Sequence, residues 1–393
     1  MKILLIETEA AGHHISLYLN SIVDELILMN YKVSLLTFNN VRNHPSLNYI
    51  KKKNVEIIYM SDLKNIKTNN LISIINSQFK LYFTIKKKIK NLKKFDLIYL
   101  NTFTVFDKAI SLFGSPFENT KFIGLFPTIK FYINKDKGIY SLIKNFINYY
   151  LFLRLLKIRT LKKVFVPDPN FLKYSNKNIN IKNKINNSID FGFFDKAKDS
   201  ATRKLFKLKK KDKKIINILV YGSIRFEKGI QHLLNALSKF DKREKFKIII
   251  AGRQDKYTQR IIKYYLKTKN FNKIIVTYNK FIKDSFEKLL FNKCDYVWTG
   301  YTKNYFGSSA VFFLAAKYKK PVITSDHGLI SYFNRIYKIG KSIKIDDISV
   351  TKTFLKSLIK KRIIISNKNY ERILKIHNQK TFSQNICKSF KKI

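Results

Sequence analysis

Acidic side chains, cysteine, glycine, proline and tryptophan are all scarce in this chain, and long apolar runs are missing. Only 26 aspartates and glutamates answer 78 lysines and arginines over 393 residues, a formal net charge of +52. Such a surface attracts polyanions and anionic lipid, the latter by about 1 kcal/mol per basic side chain near the bilayer. The two cysteines, Cys294 and Cys387, offer neither a disulfide framework nor a metal-ligand spacing, which points to a reducing compartment. No stretch approaches the roughly 18 to 20 apolar residues of a membrane span. The opening MKILLIETEAAGHH is too short in apolar residues for a signal peptide and lacks a small-residue cleavage site. The expectation is a cytoplasmic protein, peripheral on the inner face of the cytoplasmic membrane. Zinc spacings, a helix-turn-helix signature and an aromatic RNP motif are lacking too, which argues against a specific nucleic-acid partner. No pair of carboxylates stands at a convincing metal spacing, and Asp346-Asp347, lying between apolar residues, reads as a turn or helix cap.

Hydrophobic residues at 45% and aromatics at 15% exclude a disordered chain. Lys, Ile, Asn, Phe and Tyr are plentiful throughout, and lysines form short runs at 51–53, 86–88 and 209–211 with no basic tail, so the charge is a bias of the whole chain. Apolar strands at 2–6, 32–38, 55–59, 97–100, 121–126 and 163–167 alternate with helical patterns, among them 15–29. The series resumes with strands at 215–221, 246–251, 274–278, 296–299 and 322–324. Alternation of this kind predicts parallel sheets, and the length predicts more than one core. The expected fold class is α/β, with two Rossmann-like domains facing an interdomain cleft. Expected boundaries are 1–200 for the first domain, 201–214 for a basic linker, 215–365 for the second domain and 366–393 for a closing helix. The segment 139–161 is apolar, aromatic and basic at once. It fits a helix lying in a membrane interface, and equally a helix packed on the sheet with a solvated basic rim.

One stretch concentrates the chemistry. Residues 215–237, IINILVYGSIRFEKGIQHLLNAL, run from an apolar strand through Gly222 to a helical pattern that starts at Gly229, with Arg225 and Lys228 between. A strand, a short glycine-bounded loop and a helix point backbone N–H groups and a positive dipole end at whatever lies above the sheet. Two cations there suit a diphosphate; the plainer alternative is a strand-end glycine beside two solvated basic residues. The loop after the first strand, with Gly12, His13 and His14, stands at the same kind of edge, where doubly wound sheets bind ligands.

These stretches resemble the retaining nucleotide-sugar glycosyltransferases of the GT-B fold, family four in the sequence classification. The resemblance is carried by AGHHISLYLNSIVDELILMNYKVSLLT near the start, YGSIRFEKGIQHLLNAL in the middle, FGSSAVFFLAAKYKKPVITSDHGLI later and PDP at 167–169. It implies that Gly12 meets the diphosphate and sugar from one domain while Arg225 and Lys228 hold the diphosphate from the other. The family's two glutamates, eight positions apart, fall here on Phe306 and Leu314, so both carboxylates are missing. Gly307-Ser308-Ser309 stands in their place and opens a helix whose hydroxyls and N–H groups suit phosphate or sugar. A divergent branch of the family resembles this arrangement, including Ser325-Asp326 and Gly328-Leu329; loss of activity is the other explanation.

Transfer of a glycosyl group from a nucleoside diphosphate requires the growing charge on the leaving diphosphate to be met, at about 3 kcal/mol per well-placed donor. The candidate catalytic residues are therefore Arg225, Lys228 and His13, and the candidate donor-binding residues Gly12, Gly222, Ser308, Ser309 and Asp326, with no obligatory metal or other cofactor. His13 and His14 suit a general acid, base or hydroxyl ligand, though a strand-end histidine is often structural. Asp168 reads as the cap of a helix starting at Pro169. The expected partners are a nucleotide-sugar donor, a glycan or lipid-linked acceptor and an anionic membrane surface, as in bacterial polysaccharide or lipopolysaccharide synthesis. The competing classes are a non-catalytic basic binding protein on the same scaffold and another nucleotide-sugar enzyme such as an epimerase.

Overall fold

The computed structural model describes residues 1–8, 14–63, 71–133, 138–193, 215–268 and 271–392. It comprises two compact units, Met1–Asp190 with Gln379–Ile393, and Phe191–Asn378. The first unit holds a parallel sheet of β1 (Lys2–Ile6), β2 (Lys32–Phe38), β3 (Glu56–Met60), β4 (Leu97–Leu100), β5 (Lys121–Leu125), β6 (Leu161–Val166) and β7 (Ile185–Asn187), ordered β3-β2-β1-β4-β5-β6-β7. The second holds β8 (Ile216–Tyr221), β9 (Phe246–Ala251), β10 (Ile275–Tyr278), β11 (Tyr296–Thr299), β12 (Val322–Ser325) and β13 (Gly340–Ile343), ordered β10-β9-β8-β11-β12-β13 and again parallel. Both orders reverse once, between β1 and β4 and between β8 and β11. Loops leaving the carboxyl ends of such a strand pair part to opposite faces and open a crevice.

Continuous apolar strands follow from burial on both faces. In β8, Ile216, Ile218 and Val220 join the core on one face, with Leu233, Leu234 and Leu237 of the following helix. The alternate residues Leu219 and Tyr221 join the other face, with Phe312 and Phe313. Strands β7 and β13, absent from the sequence reading, lie at sheet edges and carry Asn, Lys and Ser, so neither shows an apolar run.

Three expectations change. The helix expected over 15–29 opens with a π-helical stretch, His14–Leu19, before the α-helix Asn20–Leu28. Ser21 and Asn20 donate back to the carbonyls of Leu17 and Ser16 within it, side-chain bonds that compete with the regular ladder. The second unit begins at Phe191, earlier than the expected 215, and the linker 201–214 lies outside the described residues. The closing helix is two helices, Asn367–Ile376 in the second unit and Gln379–Cys387 in the first. Between them the buried His377 stacks on Phe313 at 4.6 Å and bonds the Tyr337 hydroxyl at 2.9 Å.

The helix over 139–161 is Ile139–Lys157, and its two halves differ in burial. Phe152, Leu155 and Leu156 pack inward. Ile139, Tyr140, Ile143, Phe146, Ile147 and Tyr150 are 50–76% exposed.

Candidate functional site

At the β8/β11 switch point, Gly222 follows Tyr221 with φ +91°, and its N–H donates to the Ala251 carbonyl at 3.0 Å. Gly252 presses so closely from the end of β9 that a Cβ on it would overlap the Gly222 carbonyl. The chain then passes Arg225, turns through a 3-10 segment Phe226–Lys228 and enters the helix Ile230–Ser238. The turn folds Lys228 back under the sheet end. Its Nζ donates to the Tyr221 carbonyl at 2.8 Å and lies 5.3 Å from the Tyr301 ring centroid, while its own carbonyl accepts from Trp298 Nε1 at 2.9 Å. Lys228 is only 7% exposed. Among the described residues no carboxylate pairs with it, although an interior ammonium costs several kcal/mol unless an opposite charge meets it.

The remaining candidates distribute around this cation. A Cβ on Gly222 would lie 3.5 Å from Val311 and 3.8 Å from Lys228 Nζ, so glycine, lysine and the start of the helix Ala310–Lys317 form one cluster. Ser309 precedes that helix, but its hydroxyl makes no cap; it pairs with the Tyr301 hydroxyl at 2.8 Å. The Ser309 hydroxyl is thus engaged by Tyr301, whose ring lies beside Lys228. Tyr301 stacks on Tyr305 at 4.0 Å, and Tyr305 donates to the Ser308 carbonyl. Arg225 stands apart, its side chain 58% exposed and 4.0 Å from Glu227. Asp326 is half exposed at the end of β12, 3.4 Å from His327 Nδ1. His327 Nε2 donates to the Thr302 carbonyl at 3.0 Å, tying the ends of β12 and β11 together. Thr302 Oγ1 is buried with no partner. Leu314, in place of the second family glutamate, is 5% exposed and packs in the core.

In the first unit, Gly12 and His13 lie outside the described residues. His14 is described, and it joins a cluster at the β1/β4 switch point. Glu7, 1% exposed, accepts from Asn101 Nδ2 at 2.5 Å and from Thr102 Oγ1 at 2.8 Å, both through Oε2. Asn101 Nδ2 also donates to the His14 carbonyl at 3.0 Å, and Thr102 Oγ1 lies 2.8 Å from His14 Nδ1. Asp168 caps its helix by accepting from the N–H groups of Asn170 and Phe171, and it accepts from Tyr132 at 2.5 Å. Burial raises its pKa above the ordinary carboxylate value. Asp347 caps the helix Ile348–Lys360, and Asp346 pairs with Lys303 at 2.6 Å.

Sequence reasoning missed Tyr301, Thr302, Glu7, Asn101 and Thr102. All stand at strand ends facing a switch point, so asking which residues end the strand across each order reversal would have found them.

Residues 201–375 match the family described as Glycosyl transferases group 1. No curated protein matches the chain in sequence. Among solved structures, HepE of Anabaena in complex with UDP and glucose is 13% identical with a TM-score of 0.69, each chain covered at 100%. Sucrose-phosphate synthase of Thermosynechococcus elongatus is 13% identical with a TM-score of 0.71, covering 100% of this chain and 98% of its own. The lipopolysaccharide outer core galactosyltransferase WaaB, in its apo form, is 12% identical with a TM-score of 0.60 and full coverage of both. Similarity at these identities speaks of fold.

Proposed function

The chain is a GT-B glycosyltransferase whose residues 201–375 belong to the glycosyl transferases of group 1, and from that premise we propose that its β8/β11 switch point seats the diphosphate of a nucleotide sugar. The observation that carries this is Lys228, a buried cation whose close partners are a carbonyl and an aromatic face. A phosphate oxygen supplies the missing counter-charge. As the bond between the anomeric carbon and the diphosphate breaks, negative charge grows on the leaving oxygen, and Lys228, 7% exposed, meets it with little screening by water, a contact that contributes about 3 kcal/mol. Arg225, on the exposed side, closes over the phosphates. The first N–H groups of the helix Ala310–Lys317, left without a side-chain cap, add donors. Gly222 lets the diphosphate approach the backbone, Ser308 and Ser309 shape the wall, and Asp326 takes a sugar hydroxyl. No metal is part of this chemistry.

The acceptor we propose is a lipid-linked glycan, the product a surface polysaccharide or lipopolysaccharide, and the stereochemistry retaining, as the family resemblance implies. HepE binds UDP and glucose and WaaB is a galactosyltransferase, which makes uridine nucleotides the first donors to try. No helix among the described residues is long and apolar enough to cross a membrane. A peripheral seat on the inner face of the cytoplasmic membrane is supported by the net charge and by the exposed half of Ile139–Lys157, whose aromatic and aliphatic side chains suit an anionic bilayer surface. The protein is expected to pellet with anionic liposomes at low salt and to release at high salt; failure to bind would favour a soluble acceptor.

The test of the activity is a screen of UDP- and GDP-sugars. Slow release of nucleoside diphosphate, insensitive to EDTA, and a raised melting temperature with UDP or GDP are expected. Absence of both with every donor would sink the proposal.

A further inference from the structure

Ser309 stands where the helix Ala310–Lys317 begins, with extended backbone angles of φ −132° and ψ 118°. A serine so placed ordinarily turns its hydroxyl onto the first N–H groups of its helix. Here it makes no such cap. Its hydroxyl lies 2.8 Å from that of Tyr301, and the two residues are buried, 4% and 5% exposed. A buried tyrosine hydroxyl requires a partner, and Tyr301 takes Ser309. We propose that Tyr301 is a positioning residue that withholds the Ser309 cap, so that the N–H groups opening the helix Ala310–Lys317 are kept for an anionic oxygen of the ligand. That the anion is a nucleoside diphosphate rests on the reading above; the withheld cap does not.

Two observations separate this from a bond that merely fixes a ring. Tyr301→Phe would keep the same ring 5.3 Å from Lys228 Nζ and stacked at 4.0 Å on Tyr305, so what the hydroxyl adds is its hold on Ser309. The other is where the uncapped turn sits. A Cβ on Gly222 would lie 3.5 Å from Val311, the second residue of that helix, and 3.8 Å from Lys228 Nζ. Lys228 is 7% exposed and has no carboxylate partner among the described residues. The uncapped helix start and the interior ammonium thus flank one glycine, and both attract the same negative charge. A Ser309 hydroxyl turned onto the N–H of Val311 or Phe312 would occupy the place that an anion's oxygen takes.

The experiment makes Tyr301→Phe in the full chain, alone and in a Ser309→Ala background. Without ligand, residue-resolved amide exchange is expected to slow about fivefold at Val311 or Phe312 in Tyr301→Phe, where the freed Ser309 hydroxyl caps the helix. No slowing is expected when the change is made in Ser309→Ala. In calorimetric titration with UDP and GDP, Tyr301→Phe is expected to bind about fivefold more weakly, the value of one cap that the ligand must displace, and the same change to cost less than about twofold in Ser309→Ala. Unchanged exchange at both amides in Tyr301→Phe overturns the withheld cap. Slowed exchange with unchanged affinity overturns the part of these N–H groups in binding. An affinity loss equally large in both backgrounds overturns the action through Ser309 and leaves Tyr301 fixing its ring alone. If the wild type binds neither nucleotide, the diphosphate reading fails while amide exchange still decides the cap.

Discussion

The two switch points of this molecule handle a buried charge in opposite ways. At β1/β4 the carboxylate of Glu7 is met by Asn101 and Thr102, two neutral donors within 2.8 Å. At β8/β11 the ammonium of Lys228 is held by one carbonyl and one ring, with no carboxylate among the described residues. The first charge has its partners in the chain. The second has no charged partner among the described residues, and in the proposed function a phosphate supplies it, so removing each should have a different consequence: stability in the first unit, activity in the second.

The sharpest break is Lys228→Met. It removes an uncompensated interior charge while keeping the stem's volume, so hydrolysis of a nucleotide sugar should fall at least about 100-fold. The melting temperature should hold or rise, as replacement of buried charges by apolar groups often does. Glu7→Ala should show the reverse, a loss of about 3 kcal/mol in denaturant unfolding, because two buried donors lose their acceptor. Arg225→Ala should cost less than Lys228→Met, about tenfold in activity, since its side chain is 58% exposed and its field is screened. Asp168→Ala should lower stability by about 1 kcal/mol through the lost cap, with UDP binding unchanged.

The smallest effect lies beneath the donor site. Glu287 accepts from the hydroxyls of Tyr221 and Tyr318 at 2.6 and 3.2 Å, and burial raises its pKa above the usual value of 4.5 against the lowering effect of those bonds. A carboxyl that holds its proton more tightly when folded contributes stability fully present below its unfolded pKa and lost as pH rises through the folded value. Glu287→Gln lacks that loss, so its stability relative to wild type should improve from pH 4 to pH 7 in urea titrations.

The fold was legible because a strand buried on both faces must be apolar throughout; β1, β2, β4, β9 and β11 fall where the apolar runs end. Of the four edge strands, β3 and β10 carry apolar runs and were legible, whereas β7 and β13, INN and GKSI, carry none and escaped. The Gly222-to-Gly229 segment was legible as a strand end, a glycine turn and a helix start carrying two cations. What a linear pattern could not contain was the burial of Lys228, which depends on Tyr301 arriving from β11, or the use of Ser309 to hold that ring. Glu7 read as the end of a strand; only the arrival of Asn101 and Thr102 from β4 shows which donors meet it.

The most direct measurement is calorimetric titration of UDP into the wild-type protein and Lys228→Met, at two salt concentrations, beside their urea unfolding curves. The expected result is binding by the wild type that weakens with salt, binding at least about 100-fold weaker in the variant, and a variant no less stable than the wild type. Equal UDP affinity in the two proteins would contradict the claim that Lys228 is the buried half of a diphosphate seat.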